Sequence, residues 1–258
     1  MTDISTGRLF ARSCAAEWTR LWTVRSTWWL VAATAAVMIG IALPAAVSTT
    51  GQPDPPYGDP AWNIANLTAM PAQFALLTIA LTAVTSDYAT GGIIATLQWT
   101  PRRAVLFCAR AVVAVATATG VGVGVAAVSG IVAYLVARPV LSLPLAEGLD
   151  VLGTVAGVFA AGAALAVGLG FLLRNTAAVL VSAFLLLLVL PGLLPQLGYA
   201  WLTDIATRLP GTNALFLLTG EPVGRGLSQT TAALTMLAWA GAALTLGGLR
   251  LMRDDAGR

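Results

Sequence analysis

From Ala111 to Val136 the chain carries no charged side chain and is built mainly of alanine, valine and glycine. An apolar stretch of that length has few homes. A helix rises about 1.5 Å per residue, so about 20 apolar residues cross the roughly 30 Å of hydrocarbon in a bilayer. Five further stretches read the same way, at about 28–47, 66–84, 151–173, 177–190 and 232–249. In lipid each backbone N–H and C=O must find its partner within the segment, which a helix provides. With 58% hydrophobic and 10% charged residues, the chain departs from soluble composition. The expectation is an all-α integral membrane protein of six transmembrane helices, a single domain over residues 1–258.

The charges set an orientation. All fourteen basic residues are arginine, and there is no lysine or histidine. With the N-terminus inside, eleven arginines fall on the inner side and only Arg138, Arg208 and Arg225 on the outer; the positive-inside rule then gives N-in and C-in in a cell membrane. The same rule accounts for the basic balance, so no nucleic-acid partner is invoked. Without lysine a P-loop is incomplete, and without histidine so are histidine triads and most zinc sites. Cys14 and Cys108 both fall on the reducing side and are read as free thiols. Residues 1–27 carry too many charges for a cleavable signal peptide.

Three segments between the spans carry information. In the first, Ala11, Cys14, Trp18, Leu21 and Trp22 recur at helical spacing, with Arg8, Arg12 and Arg20 largely opposite. That pattern suits an amphipathic helix lying in the interface, or a straight extension of the first span. In the second, 85–110, Gly91-Gly92 interrupts the incoming helix. A short surface helix over 93–99 or a loop anchored by Trp99 follows, and Thr100-Pro101 reads as the cap and first residue of the next helix. In the third, 191–231, an apolar segment with Tyr199, Trp201, Leu202, Ile205 and Leu209 precedes Pro210-Gly211, and Thr212 is placed to cap a second short helix ended by Gly220. These are expected as two short interfacial or re-entrant helices on the outer face. The loop 48–62, rich in proline and lacking basic residues, reads as exposed.

Charged residues stand only at the ends of the six spans, which argues against ion-driven carriers, proton pumps and voltage sensors. Intramembrane proteolysis lacks its histidine or aspartates for the same reason. Gly120-x-x-x-Gly124 and Gly153-x-x-x-Gly157 permit close helix approach, and packing within the chain is the expected use.

The segment Thr85-Ser-Asp-Tyr-Ala-Thr-Gly-Gly-Ile-Ile-Ala-Thr-Leu97 resembles the stretch after the second span of type-2 ABC exporter permeases. The opening Ala15–Leu30, AAEWTRLWTVRSTWWL, is similar to the start of actinobacterial members, and Pro101-Arg102-Arg103 with Arg110 resembles their third-span entrance. The resemblance implies a permease subunit that faces a second permease, identical or related, and docks on a cytoplasmic ATPase that holds ATP and magnesium. The chain itself would bind no cofactor and catalyse no reaction. It further implies a coupling helix contributed by Asp87, Tyr88, Gly91, Gly92, Ile94 and Leu97, with Arg102 and Arg103 beside it. Gly92 and Ile94 stand where the family usually has threonine and a basic residue. Glu17, Trp18, Arg20, Trp22 and Arg25 would belong to the interfacial connecting helix, and Tyr199 to Leu209 to helices capping the exit. Two other readings share the six spans: a scaffold or sensor that transports nothing, and a lipid-acting enzyme using the acidic residues Asp54, Asp59, Glu147, Asp150, Asp204 and Glu221.

Overall fold

The computed structural model describes residues 6–92, 102–221 and 227–253, and the regular elements among them are helical. They are α1 (Thr6–Thr23), α2 (Arg25–Thr50), α3 (Trp62–Ala89), α4 (Arg103–Ala137), α5 (Leu145–Leu173), α6 (Thr176–Leu197), α7 (Ala200–Thr207), α8 (Pro210–Thr219) and α9 (Gln229–Arg253). Six of them, α2 to α6 and α9, are long and apolar enough to cross a membrane. All six outrun the apolar cores read from the sequence. Helix continues into the polar flanks because each added residue gains a backbone hydrogen bond once the span has nucleated.

Two boundaries differ from expectation in instructive ways. α4 begins at Arg103 with Arg102 in the cap position, so the helix starts later than a Thr100 cap would give; residues 93–101, including Ile94 and Leu97, lie outside the described residues. α6 runs past residue 190, the expected end of the span before Pro191, and ends at Leu197. Proline has no N–H to offer the carbonyl four residues back, and the helix passes it through a π turn over Leu185–Val189, in which Leu190 N–H reaches Leu185 O.

α3 and α5 form the centre, with more than half of their apolar windows buried, whereas 22% and 17% of those of α2 and α6 are buried. Glycines set how closely the helices meet. Gly122 receives Phe159 and Leu76, Gly162 receives Gln73, and the backbones of α5 and α9 touch at Gly168 and Gly247. Gly211 of α8 lies directly on the Leu187 carbonyl in the π turn of α6. The two paired-glycine motifs behave otherwise: a Cβ at Gly120, Gly124, Gly153 or Gly157 would meet nothing within 4 Å. Among the described residues, nothing packs on them, contrary to the expected use. Spacing alone could not tell them from the glycines that do pack, because the neighbour decides.

At the end of the bundle away from the termini, α3 begins with Trp62, 5% exposed. Its Nε1 donates to Pro144 O at 3.0 Å, and its ring lies where a Cβ at Gly130 or Gly148 would be, 2.7 and 2.5 Å away. The 51–61 loop, read as exposed, folds partly onto 138–144: Ser142 N–H donates to Asp59 O and Ala61 N–H to Ser142 O, each at 2.9 Å. Ala61 is buried as a result.

The two short helices between the last spans are present as expected, with a correction to their cap. Leu209 occupies the α8 cap position, and the Thr212 hydroxyl instead donates to Ala206 O at 2.5 Å. Asn213 Nδ2 donates to Thr207 O and Leu209 O, so these two side chains tie the α7–α8 turn. Gly220, at φ 74°, ends α8. α8 is buried over Pro210–Ala214 against α9, α3, α5 and α6.

Replacing Gly247 by alanine forces its Cβ into the Gly168 carbonyl, and a loss of at least about 1–3 kcal/mol is expected. Gly120→Ala meets open space and should gain about 0.5–1 kcal/mol of helix propensity. Thermal unfolding of the two purified variants in one detergent, beside wild type, checks the contrast.

Candidate functional site

The last turn of α3 carries four consecutive polar residues, Thr85 to Tyr88, in a helix otherwise nearly free of charge. Successive helical positions point about 100° apart, so four in a row face all around the helix. In a central helix each then meets a different neighbour. Thr85 Oγ1 accepts from Thr176 Oγ1 at 2.8 Å, at the start of α6. Ser86 Oγ accepts from Arg20 Nη2 of α1 at 2.9 Å. Asp87 accepts from Arg110 Nη2 of α4 at 2.6 Å and from both terminal nitrogens of Arg20. Tyr88 lies under the Arg174 guanidinium, 5.3 Å from the ring centre, where α5 ends.

Glu17 completes the cluster from α1. Its Oε1 accepts from Arg110 Nε at 2.9 Å, and its Oε2 lies 3.3 Å from Arg20 Nη1. Two carboxylates thus meet two guanidiniums with no net charge. Arg110 is 1% exposed and is among the largest fully buried side chains; Glu17 and Asp87 are buried too. A buried charge of this kind is tolerable only when paired and hydrogen-bonded. Beside it a small cleft between α1, α2 and α3 is lined by Glu17, Arg20, Ser86 and Thr82. Cys14, one turn before Glu17, has its thiol pKa pushed up by burial and then by the Glu17 charge.

α1 is a separate helix. Val24 is extended and breaks it from α2, so the straight-extension reading fails. The elbow is braced by Trp28 Nε1 donating to Trp22 O at 3.1 Å, by the tilted contact of the Trp18 and Trp22 rings and by the edge-to-face contact of Trp22 with Trp28. Against the bundle the helix turns a face that joins one acid to one of the expected apolar residues. Glu17 and Leu21 are buried, whereas Trp18 is half exposed and Ala11 exposed. Arg110 on α4 holds the Glu17 carboxylate on this face, and Trp18 is left on the outer side, where an interfacial helix carries its tryptophans.

The expected coupling residues therefore divide. Asp87 and Tyr88 are joined to the cluster, and Gly91, at φ 71°, ends α3 in the left-handed conformation that glycine supplies; Gly92 follows it. Arg102 donates to Thr6 Oγ1 at 2.9 Å and Arg103 to Leu251 O at 3.2 Å, so both tie helix ends within the chain. Arg25 is exposed at the start of α2. Of the residues expected at the other end, Leu202 and Leu209 are buried, while Tyr199, Trp201 and Ile205 face outward. Sequence reading placed Arg110 at a span entrance and left Ser86, Thr85 and Arg174 unassigned. The available signal was Glu17, the single acid of α1, and Asp87, the single acid of α3. Among the described residues no three acidic, cysteine or histidine side chains converge as metal ligands.

Arg110→Met leaves two buried carboxylates short of a partner and should cost about 3–5 kcal/mol. Arg25→Met, at an exposed position, should stay within about 0.5 kcal/mol. Chemical or thermal unfolding in detergent separates the two. Compared with known proteins, the chain matches no protein-family model and no curated protein.

Proposed function

We propose that this chain is the membrane-embedded permease subunit of an ATP-binding-cassette exporter, working with a second permease subunit and a separate cytoplasmic ATPase. The reading rests on the resemblance of 85–97 and 15–30 to type-2 exporter permeases, and one observation supports it above the rest. The segment assigned to the ATPase contact follows directly on Asp87 and Tyr88, and those residues are bonded to α1, α4 and the end of α5. A push that reaches the last turn of α3 is passed to three further elements through charged or aromatic contacts.

In this reading the termini face the cytoplasm, as the arginine distribution favours, and α1 is the connecting helix. Nucleotide binding draws the ATPases together, the segment after Gly91 moves with them, and the inner ends of α3 and α4 shift with α1 as one body. The path between the two permeases then opens outward. The energy comes from the nucleotide, because a shift of population requires a ligand that binds the two states differently. The chain supplies lever and walls, and the solute is apolar or amphiphilic, consistent with spans whose centres carry no charge. α7 and α8 cap the outer end of the path.

Purification of the tagged chain from its native membrane in mild detergent should bring down an ATPase. Replacing Gly91–Leu97 by a glycine–serine linker, which leaves Asp87 and its ion pairs in place, should abolish that activity in the eluate while the permease still elutes as one species. An eluate without ATPase from wild type, under conditions that keep other transporter complexes intact, would move the assignment to a scaffold or sensor.

A further inference from the structure

α5 and α9 meet backbone to backbone at Gly168 and Gly247, near the end that carries the termini. Towards the opposite end a cleft of about 630 Å³ lies between them, closed at the back by Leu217 of α8. That volume is in the range of small-molecule sites. Its body is apolar, with Val158 and Ala161 on α5 and Met236 on α9. Gly153 and Gly157 also line it, and a Cβ at either would meet nothing within 4 Å. These glycines hollow out space that no part of the described chain fills.

The cleft has a definite depth and a polar lip. Asp150 stands at one end of the α5 wall and Ala161 at the other; eleven residues of helix span about 16 Å. That is half of the roughly 30 Å hydrocarbon thickness, the depth of one leaflet. At the lip Asp150 is exposed and forms no ion pair among the described residues. Across from it are Gln229 and Thr230, the first two residues of α9; Ser228 Oγ caps this turn by accepting from Thr231 N–H at 3.2 Å, and the N–H groups of Gln229 and Thr230 stand at the positive end of the helix dipole. One wall of the lip is therefore negative and the other partly positive.

A head group with an ammonium and a phosphate matches those two poles, and an acyl chain matches the cleft below. We propose that this cleft holds one molecule of an ethanolamine phospholipid from the leaflet at that end, with its ammonium on Asp150 and its phosphate at the start of α9. A lipid with a purely anionic head would meet the Asp150 carboxylate and gain nothing from it. The assignment is independent of the exporter reading, because it needs only the bilayer and the two helices.

The test is native mass spectrometry of the full chain released from nanodiscs made of equal parts phosphatidylethanolamine and phosphatidylglycerol. Wild type should retain one phosphatidylethanolamine in preference to phosphatidylglycerol. Asp150→Asn should reduce that preference about tenfold, as loss of one charge-assisted hydrogen bond implies. Gly157→Leu should fill the cleft and abolish retention of either lipid with an unfolding temperature no lower than wild type, since the new side chain enters open space. Equal retention of the two lipids by wild type overturns the proposal, as does undiminished retention by Gly157→Leu. A wild-type dimer that Gly157→Leu turns into a monomer overturns it as well, by assigning the cleft to a second copy.

Discussion

Arg110 cannot leave the bundle and cannot stand there alone. It is buried on α4, and removing a guanidinium from water is repaid only by carboxylates held at hydrogen-bonding distance. One comes from α3 and the other from α1. That requirement is what fixes α1 against the bundle, because the helix is otherwise short of apolar surface to bury and turns Trp18 outward. The chain break at Val24 follows, since a straight helix would carry Glu17 away from α4.

The two ends of the bundle are held by different physics. At the terminus-bearing end the bonds are ionic and polar, and they gather on four successive residues of α3. At the opposite end a single tryptophan ring between two glycines does the work, with one hydrogen bond to Pro144 and a short pairing of two loops. Apolar contact is non-directional and tolerates small shifts, whereas a network of paired charges has one satisfactory arrangement. Directional, paired-charge contacts thus join α1 to α3 and α4, and non-directional ones serve elsewhere; α6, with 17% of its apolar window buried, is the least enclosed of the six.

Much of the fold was legible because a membrane leaves so few choices. Six charge-free stretches allow only six helices, and the glycine and proline after Leu209 mark the α7–α8 break without further help. What was not legible depends on partners distant in sequence. Glu17 and Arg110 are 93 positions apart, and each taken singly looks like an interfacial charge. Likewise Gly153 and Gly247 are the same residue in the same kind of helix, and only the facing backbone distinguishes an open groove from a close contact. Pro191 misled for a local reason: a π turn re-pairs the carbonyls that a proline frees, and nothing in the residue pattern of Leu185–Val189 announces it. The polar run Thr85–Tyr88 was recognised through its resemblance, yet its role in the bundle came from four neighbours that the chain brings together only on folding.

The ionic clamp between α1 and α4 is open to a double-mutant cycle on Glu17→Gln and Arg110→Met, read by unfolding free energy in detergent. If the two side chains hold each other as described, the double variant is more stable than the summed losses allow, by about 1.5 kcal/mol or more. Losses that add to within about 0.5 kcal/mol would contradict the clamp, and with it the rigid joining of α1 to the spans.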